Sequence, residues 1–471
     1  MVKKSVITIL LIFVFCVSQL KGQSLTDEIN SVLNSAKGIT LSGIRIINAD
    51  NGEVIFSKNS NKPLTPASTI KLFTTSAALI QLGKEFHLTT QLLTDDRNIS
   101  DGVINGDLVI KGFANPFFTS SQIDSMVAAL KNLGVHQIKG NIVGDDSFFD
   151  KRYNRESWIK RERSNSPLPP VSALIVDRNE ITLSFIPTGR KNKPFNIKVL
   201  PFSNLYKINY SAKLTRRWRM PTILVKTVPE NIKIKVKGYI RKRRHAYSYK
   251  AFIDKPALFT ADLLFDRLKK NNINVDGSPT EKRVKKKMFL IDEHYTTLED
   301  VIKKADKESD NFLAEIIFKT LGAQYSREVG NSFYATQAVY SFLEKIGIDT
   351  ENIDIVDGSG LSRSNKITPK AVTELLEYIY HNRNIFNTFY SSLSSAGEDG
   401  TLESRLVGFG LKGNFHGKTG TLNGVSAVSG YLTTNSGKNV IVAIIINFNR
   451  GGADYFRELQ DEIIIDVAKK Y

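Results

Sequence analysis

Residues 66–79 read Pro66-Ala67-Ser68-Thr69-Ile70-Lys71-Leu72-Phe73-Thr74-Thr75-Ser76-Ala77-Ala78-Leu79. A proline costs nothing at the edge of a helix, and Ile70, Phe73, Ala77 and Ile80 recur at helical spacing, so this stretch predicts a helix with Ser68 at its mouth. Lys71 stands about one turn further on, which brings its amine to the serine hydroxyl. The first turn of a helix also carries N–H groups without intrahelical partners close to that oxygen. A hydroxyl, a neighbouring amine and backbone donors are the parts of an acyl-transfer site. Spacing alone does not establish one, because Ser-x-x-Lys recurs at Ser18–Lys21 and Ser157–Lys160.

The weight falls on two motifs downstream. Ser309-Asp310-Asn311 opens a predicted helix and places a hydroxyl and an amide carbonyl at its mouth. In isolation it reads as a helix cap, and Ser-x-Asn occurs again at Ser57–Asn59. His416-Gly417-Lys418-Thr419-Gly420-Thr421 precedes a predicted strand, and Lys-Thr-Gly occurs once in the chain. In isolation that tripeptide is a basic turn. In the order Ser68…Lys71, Ser309…Asn311, Lys418-Thr419-Gly420, each motif supplies a part that the others lack, and the set is far more specific than any member.

The rest of the chain arranges itself around these motifs. Thr26–Ala36 predicts a helix, and Ile39–Ile47 with Gly52–Ser57 predicts a hairpin about Asp50-Asn51-Gly52. Asn59–Thr65 is a polar loop delivering the serine. From residue 88 short strands dominate: Thr89–Thr94, Gly106–Lys111, Gln137–Val143, Leu174–Ile175 and Glu180–Ile186, interrupted by one amphipathic helix, Ser121–Leu133. Glu281–Lys287 is a candidate linker. Helices return at Thr297–Lys304, Asn311–Leu321, Gly330–Ile346 and Thr368–Asn382. Gly424–Thr433 and Asn439–Phe448 predict strands, and Ala453–Lys469 a last helix. A terminal strand pair could complete a sheet begun by the hairpin, which makes the first domain discontinuous (23–87 plus 288–471) with residues 88–287 inserted.

Length favours two or three domains. Met1-Val2-Lys3-Lys4 followed by the apolar run Ser5–Val17 reads as a secretory signal over 1–22, with cleavage after Gly22 although Leu20 is not the usual small residue. A retained anchor is the alternative, but the run is short for a span. Cys16 is the only cysteine and has no small residue before it, so neither a lipoprotein anchor nor a disulfide is expected. The formal charge is +18, and loss of Lys3, Lys4 and Lys21 leaves +15. The surplus is local: Thr188–Lys250 holds 18 Lys and Arg against one acid, Glu230. Ile232-Lys233-Ile234-Lys235-Val236-Lys237 alternates with period two, so it predicts a half-exposed sheet presenting its charge outward. Such a face attracts an anionic envelope polymer or a membrane surface. Arg216-Arg217-Trp218-Arg219 and Tyr239-Ile240-Arg241-Lys242-Arg243-Arg244 mix aromatics with cations, but an exported protein is not expected to bind nucleic acid.

On these motifs the chain resembles the serine-type D-alanyl-D-alanine carboxypeptidase/endopeptidases, the class C low-molecular-mass penicillin-binding proteins. Asp357-Gly358-Ser359-Gly360-Leu361-Ser362-Arg363 and Gly397-Glu398-Asp399-Gly400-Thr401-Leu402 resemble family hallmarks, as do Gly140-Asn141-Ile142-Val143-Gly144-Asp145 and Pro170-Val171-Ser172-Ala173-Leu174. Gly112-Phe113-Ala114-Asn115-Pro116 departs from the family's usual Gly-x-Gly-Asp-Pro. The resemblance implies an α/β (α+β) fold: a discontinuous penicillin-binding/β-lactamase-like transpeptidase domain with a large, mostly β insertion between the first two motifs. It implies that Ser68 attacks a terminal D-Ala-D-Ala bond of a peptidoglycan stem peptide while a neutral Lys71 takes its proton, although an exposed lysine titrates at about 10.4. Burial and Lys418 would lower that value. The oxyanion would sit between the backbone N–H groups of Ser68 and Thr421. Ser309 would relay a proton, Asn311 would hold the substrate amide, and Lys418, Thr419, Gly420 and Thr421 would line the carboxylate site. Asp145 and Arg363 would contact the peptide stem. β-Lactams would acylate Ser68. No cofactor is expected, since six scattered histidines form no metal-ligand pattern and no phosphate loop stands out. A β-lactamase and a catalytically inactive envelope-binding protein on the same fold are the alternatives.

Overall fold

Strand Asn439–Phe448 is apolar along its whole interior, and a strand of that kind must be covered on both faces. Alternate side chains go to different cores. Val440, Val442, Ile444 and Ile446 pack against Phe456, Ile463 and Ile464 of helix Ala453–Lys470 and Ile29 of helix Leu25–Ser35. Ile441, Ala443 and Ile445 face the opposite way, into a larger cluster built from the helices that carry the catalytic motifs. The computed structural model describes residues 24–155, 158, 168–188, 195–217, 219–241 and 245–471. The segment 1–22, the pair Ser157–Lys160, Trp218 and Lys242-Arg243-Arg244 lie outside the described residues.

The central sheet has six strands in the order Ser394–Ser395, Phe415–Leu422, Val425–Thr433, Asn439–Phe448, Ile39–Asn48, Val54–Lys58. Every pairing is antiparallel. The hairpin therefore meets the chain's end, with Ile44 opposite Ile444. Several expectations shift: Leu174–Ile175 forms no strand, and Gln137–Val143 divides into Gln137–Ile138 and Ile142–Asp145. The Lys-Thr-Gly motif lies on a strand, Phe415–Leu422, and not ahead of one. Strand Phe289–Thr297 pairs with His87–Thr94 before the helices return. Helices Pro256–Lys270 and Arg383–Ser392 were not read from the sequence; the first has Pro at its first turn and buries almost all of its length, which erases amphipathic periodicity.

Residues 87–297 hold a five-stranded mixed sheet, ordered Pro279–Glu281, Ile142–Asp145, Leu108–Phe113, His87–Thr94, Phe289–Thr297. Helices Ser120–Asn132 and Pro256–Lys270 contribute to the same apolar cluster. Smaller sheets extend that cluster through Ile181, Leu183, Ile232, Ile234 and Val236. The insertion is not closed on itself, however: Ala114, Phe149, Trp158, Val171, Ala173 and Ile175 belong to the core of the catalytic helices. Ala114, where the family has glycine, takes φ +71. Its turn is kept by Asn115, which accepts from the Phe117 N–H at 3.1 Å and the Thr296 hydroxyl at 2.9 Å and donates to the His294 carbonyl at 3.2 Å. Removing bulk from the middle of the central sheet should be expensive. Ile444→Ala is expected to cost about 2–5 kcal/mol, read as a lower midpoint in urea unfolding with the slope unchanged.

Candidate active site

Ser68 sits in a tight 3-10 turn, Ala67–Ile70, that runs into helix Lys71–Leu82. The expected helix thus begins one turn later than its sequence suggests. Ala67 has φ +50, which swings the serine out of the helical path. Four hydrogen bonds hold the chain that enters the turn. Leu64 and Ile367 exchange backbone hydrogen bonds at 2.9 and 3.0 Å, and the Asn447 side chain bonds both backbone groups of Thr65 at 3.2 Å. Two glycines from other motifs allow the close approach. A Cβ on Gly360, at φ +87, would lie 2.0 Å from the Ala67 carbonyl oxygen, and one on Gly420 would lie 3.1 Å from the Ser68 nitrogen.

Lys71 is fully buried, with Nζ 2.9 Å from Ser68 Oγ, 2.6 Å from Asn311 Oδ1 and 2.6 Å from the Ser359 carbonyl oxygen. A neutral amine has two N–H bonds and one lone pair. Two of its three neighbours can only accept, so its hydrogens go to them and the lone pair faces the serine hydroxyl. Burial lowers the Lys71 pKa from 10.5 to about 8, against the opposing pull of Asp306 and Asp357. The Ser359 carbonyl is itself held. Its own N–H donates to buried Glu315 at 2.8 Å, and Asp357 receives the N–H groups of Gly360 and Ser362 at 2.8 Å and the indole of Trp158 at 3.0 Å. Burial, with Asp357 nearby, raises the Glu315 pKa to about 7.

Ser309 lies in the turn between helices Leu298–Lys307 and Asn311–Ser326, with φ +54, and is not itself the cap. Asp310 caps the second helix by accepting from the Leu313 N–H at 3.1 Å, and it pairs with Arg178 of the insertion at 2.8 Å. Lys418 is completely buried on its strand, its Nζ 3.1 Å from the Thr419 carbonyl. Asp306, also fully buried, faces it. Burial pushes the Lys418 amine down and the Asp306 carboxyl up, while each group's charge steadies the other.

Ser68, Ser309, Asn311, Thr419 and Thr421 open onto one cleft of about 680 Å³. One wall is the hallmark loop, with Thr401 receiving a 2.8 Å hydrogen bond from Thr419. The other wall is the last helix, which the sequence did not mark as functional. Arg457 donates to Thr421 Oγ1 at 3.2 Å and pairs with Asp454 at 2.6 Å; Arg405 grips Asp461 at 2.6 Å. Asp145 does not join the cleft. It is buried in the five-stranded sheet, where it accepts from the Ser147 and Val284 N–H groups at 2.9 Å and faces Lys111 at 3.4 Å, so its carboxylate is already spent. Arg363 donates to the Asn423 carbonyl in the turn after the Lys-Thr-Gly strand and does not line the cleft.

The profile of the D-Ala-D-Ala carboxypeptidase 3 (S13) family matches residues 25–465. The chain belongs to that family. It is 28% identical over 409 residues to D-alanyl-D-alanine carboxypeptidase DacB of Haemophilus influenzae, covering 85% of this chain and 84% of that protein. It is 26% identical over 462 residues to a D-alanyl-D-alanine carboxypeptidase of Actinomadura sp. strain R39, covering 94% and 84%. The crystal structure of penicillin binding protein 4 (dacB) from Haemophilus influenzae superposes with a TM-score of 0.79 at 26% identity, over 92% of this chain and 97% of that one. Like the other members of this S13 family, the chain is a serine-type D-Ala-D-Ala carboxypeptidase, a hydrolase, on the mixed α/β penicillin-binding fold.

The glycine contacts give a direct test of the S13 site's geometry. Gly360→Ala adds a methyl where the Ala67 carbonyl stands and forbids the favoured φ, so a loss of at least about 1 kcal/mol in thermal stability is expected. Reaction of the serine with an active-site reagent should slow with it, whereas a purely local strain would leave that rate unchanged.

Proposed function

We propose that this carboxypeptidase works through an acyl-enzyme on Ser68, trimming terminal D-Ala from peptidoglycan stem peptides, cutting D-Ala cross-links, or both. The observation that carries the reading is the buried Lys71 amine held with two carbonyl acceptors and the Ser68 hydroxyl around it. The amine takes the hydroxyl proton as Ser68 Oγ bonds to the substrate carbonyl carbon. The N–H groups of Ser68 and Thr421 receive the oxyanion. Ser309 passes the proton to the leaving amine, and Asn311 orients both Lys71 and the substrate amide. Water then releases the acyl group. Lys418 holds positive charge behind the strand, while Thr419 and Thr421 meet the substrate's terminal carboxylate. Arg457 shares that duty, because its bond to Thr421 Oγ1 leaves the threonine hydroxyl hydrogen to point at the carboxylate.

β-Lactams, which mimic the scissile bond, acylate the same serine. In support, a Haemophilus influenzae penicillin binding protein 4 structure of the same fold is described as complexed with a β-lactam. The signal-like segment 1–22 supports export to the periplasm or envelope, and no helix among the described residues is long and apolar enough to cross a membrane. In this reading the catalytic unit and the insertion meet near residues 87 and 297, because strand Phe289–Thr297 pairs into the insertion's sheet, so the unit expected as 23–87 with 288–471 gives up that strand to the insertion.

The first experiment is intact mass of the purified chain after penicillin, with peptide mapping. A long-lived single adduct on Ser68 is expected. Rapid drug turnover would mean a β-lactamase, and no adduct on folded protein an inactive binding protein. Lys71→Met should slow acylation by roughly 10²–10⁴-fold. The pH profile follows from the lowered amine pKa. Because the neutral form is the base, the acylation rate should climb with pH and level off above about 8. A rate flat from pH 6 to 9 would remove Lys71 as the base.

A further inference from the structure

The inserted region carries a surface that the peptidase reaction does not use. Strands Tyr206–Tyr210, Thr222–Val228 and Asn231–Lys237 form a three-stranded sheet with the last in the middle. Ile232, Ile234 and Val236 are fully buried beneath it. On the opposite face Lys233 stands directly between Lys207 and Lys226, one on each neighbouring strand. Lys235 and Lys237 continue the middle strand, all of them exposed. Like charges directly opposite one another destabilise a sheet. Nothing nearby relieves the repulsion among the described residues: Glu230 is engaged by Lys269 at 3.6 Å, and Asp254 receives the N–H and hydroxyl of Thr227. An anion laid over the row would relieve that repulsion.

Exposed apolar residues on this face and at its edge narrow the partner. Leu224 lies opposite Lys235 on the lysine face and is 51% exposed. Met220, just before that strand, is 63% exposed, and the neighbouring Arg219 covers the ring of half-exposed Tyr239 at 4.8 Å. An anionic sugar polymer would meet the lysines but leave Leu224 and Met220 in water. Lipid head groups over hydrocarbon satisfy both, since weak apolar insertion and a polybasic patch together give stable anchoring.

We propose that this sheet docks the enzyme on a bilayer rich in anionic phospholipid, with Lys207, Lys226, Lys233, Lys235 and Lys237 on the head groups and Leu224 and Met220 at the acyl boundary. The reading is independent of the catalytic one. The test is flotation of the chain from residue 23 onward with vesicles of phosphatidylcholine, alone or mixed with phosphatidylglycerol. Association is expected only with the anionic vesicles, and it should fall as salt is raised. K226Q/K233Q/K235Q should weaken it at least about tenfold, as each lysine near a charged surface contributes substantially. Leu224→Ser should weaken it further at salt concentrations that already screen the lysines. Thermal unfolding and penicillin labelling report that each variant is folded. Equal binding to neutral vesicles, no binding to anionic ones, or full binding by the folded triple variant would overturn the proposal. So would lysine-dependent capture by purified cell-wall sacculi without vesicle binding, which would assign the face to the polymer.

Discussion

One buried amine governs this site. Burial draws the Lys71 pKa down toward neutral pH, yet a buried amine needs partners for its hydrogens. Two carbonyl oxygens, from Asn311 and Ser359, meet that need without adding a formal charge beside it. Much of the surrounding fold serves to put those two oxygens there. Helix Asn311–Ser326 brings the first, and a loop braced by Glu315 and Asp357 brings the second.

The same burial loads the core with ionisable groups. Lys71, Lys418, Asp306 and Glu315 are all removed from solvent. Isolated, each would cost several kcal/mol to bury. Burial raises the carboxyls and lowers the amines, and the opposed charges of Asp306 with Lys71 and Lys418 partly offset those shifts. Such a site needs a rigid frame, and the strand Phe415–Leu422 supplies it by running beside the Ser68 turn, close enough that only glycine fits at 420.

What the sequence made legible follows from what is local. Ser68, Lys71, Ser309, Asn311 and Lys418 are short motifs whose parts stand within a turn of each other, and the structure gathers them. The joining of hairpin and terminal strands was readable because both are apolar runs bounded by turns. The Ile-Lys alternation of 232–237 was readable because one face is wet. Helix Pro256–Lys270 is buried nearly all round, so no stripe betrays it. Glu315, Asp306 and Arg457 gain their meaning only from residues far away in the chain, and spacing carries no trace of that. Asp145 lies apart from the cleft for the converse reason: a carboxylate in a recognisable motif can be engaged by backbone N–H groups that sequence cannot place.

The seam between insertion and catalytic unit has a further consequence. Phe149, Trp158, Val171 and Ile175 are packed in the catalytic helices' core, Lys319 reaches Asp150 at 2.7 Å, and Arg178 reaches the Asp310 cap. Trp158 even touches the carboxylate that braces the loop behind Lys71. The insertion keeps a large apolar cluster of its own, yet these shared residues tie its packing to that of the catalytic helices. The insertion works as a keystone of the catalytic half, and cutting it away would leave Lys71's supporting loop without its outer brace.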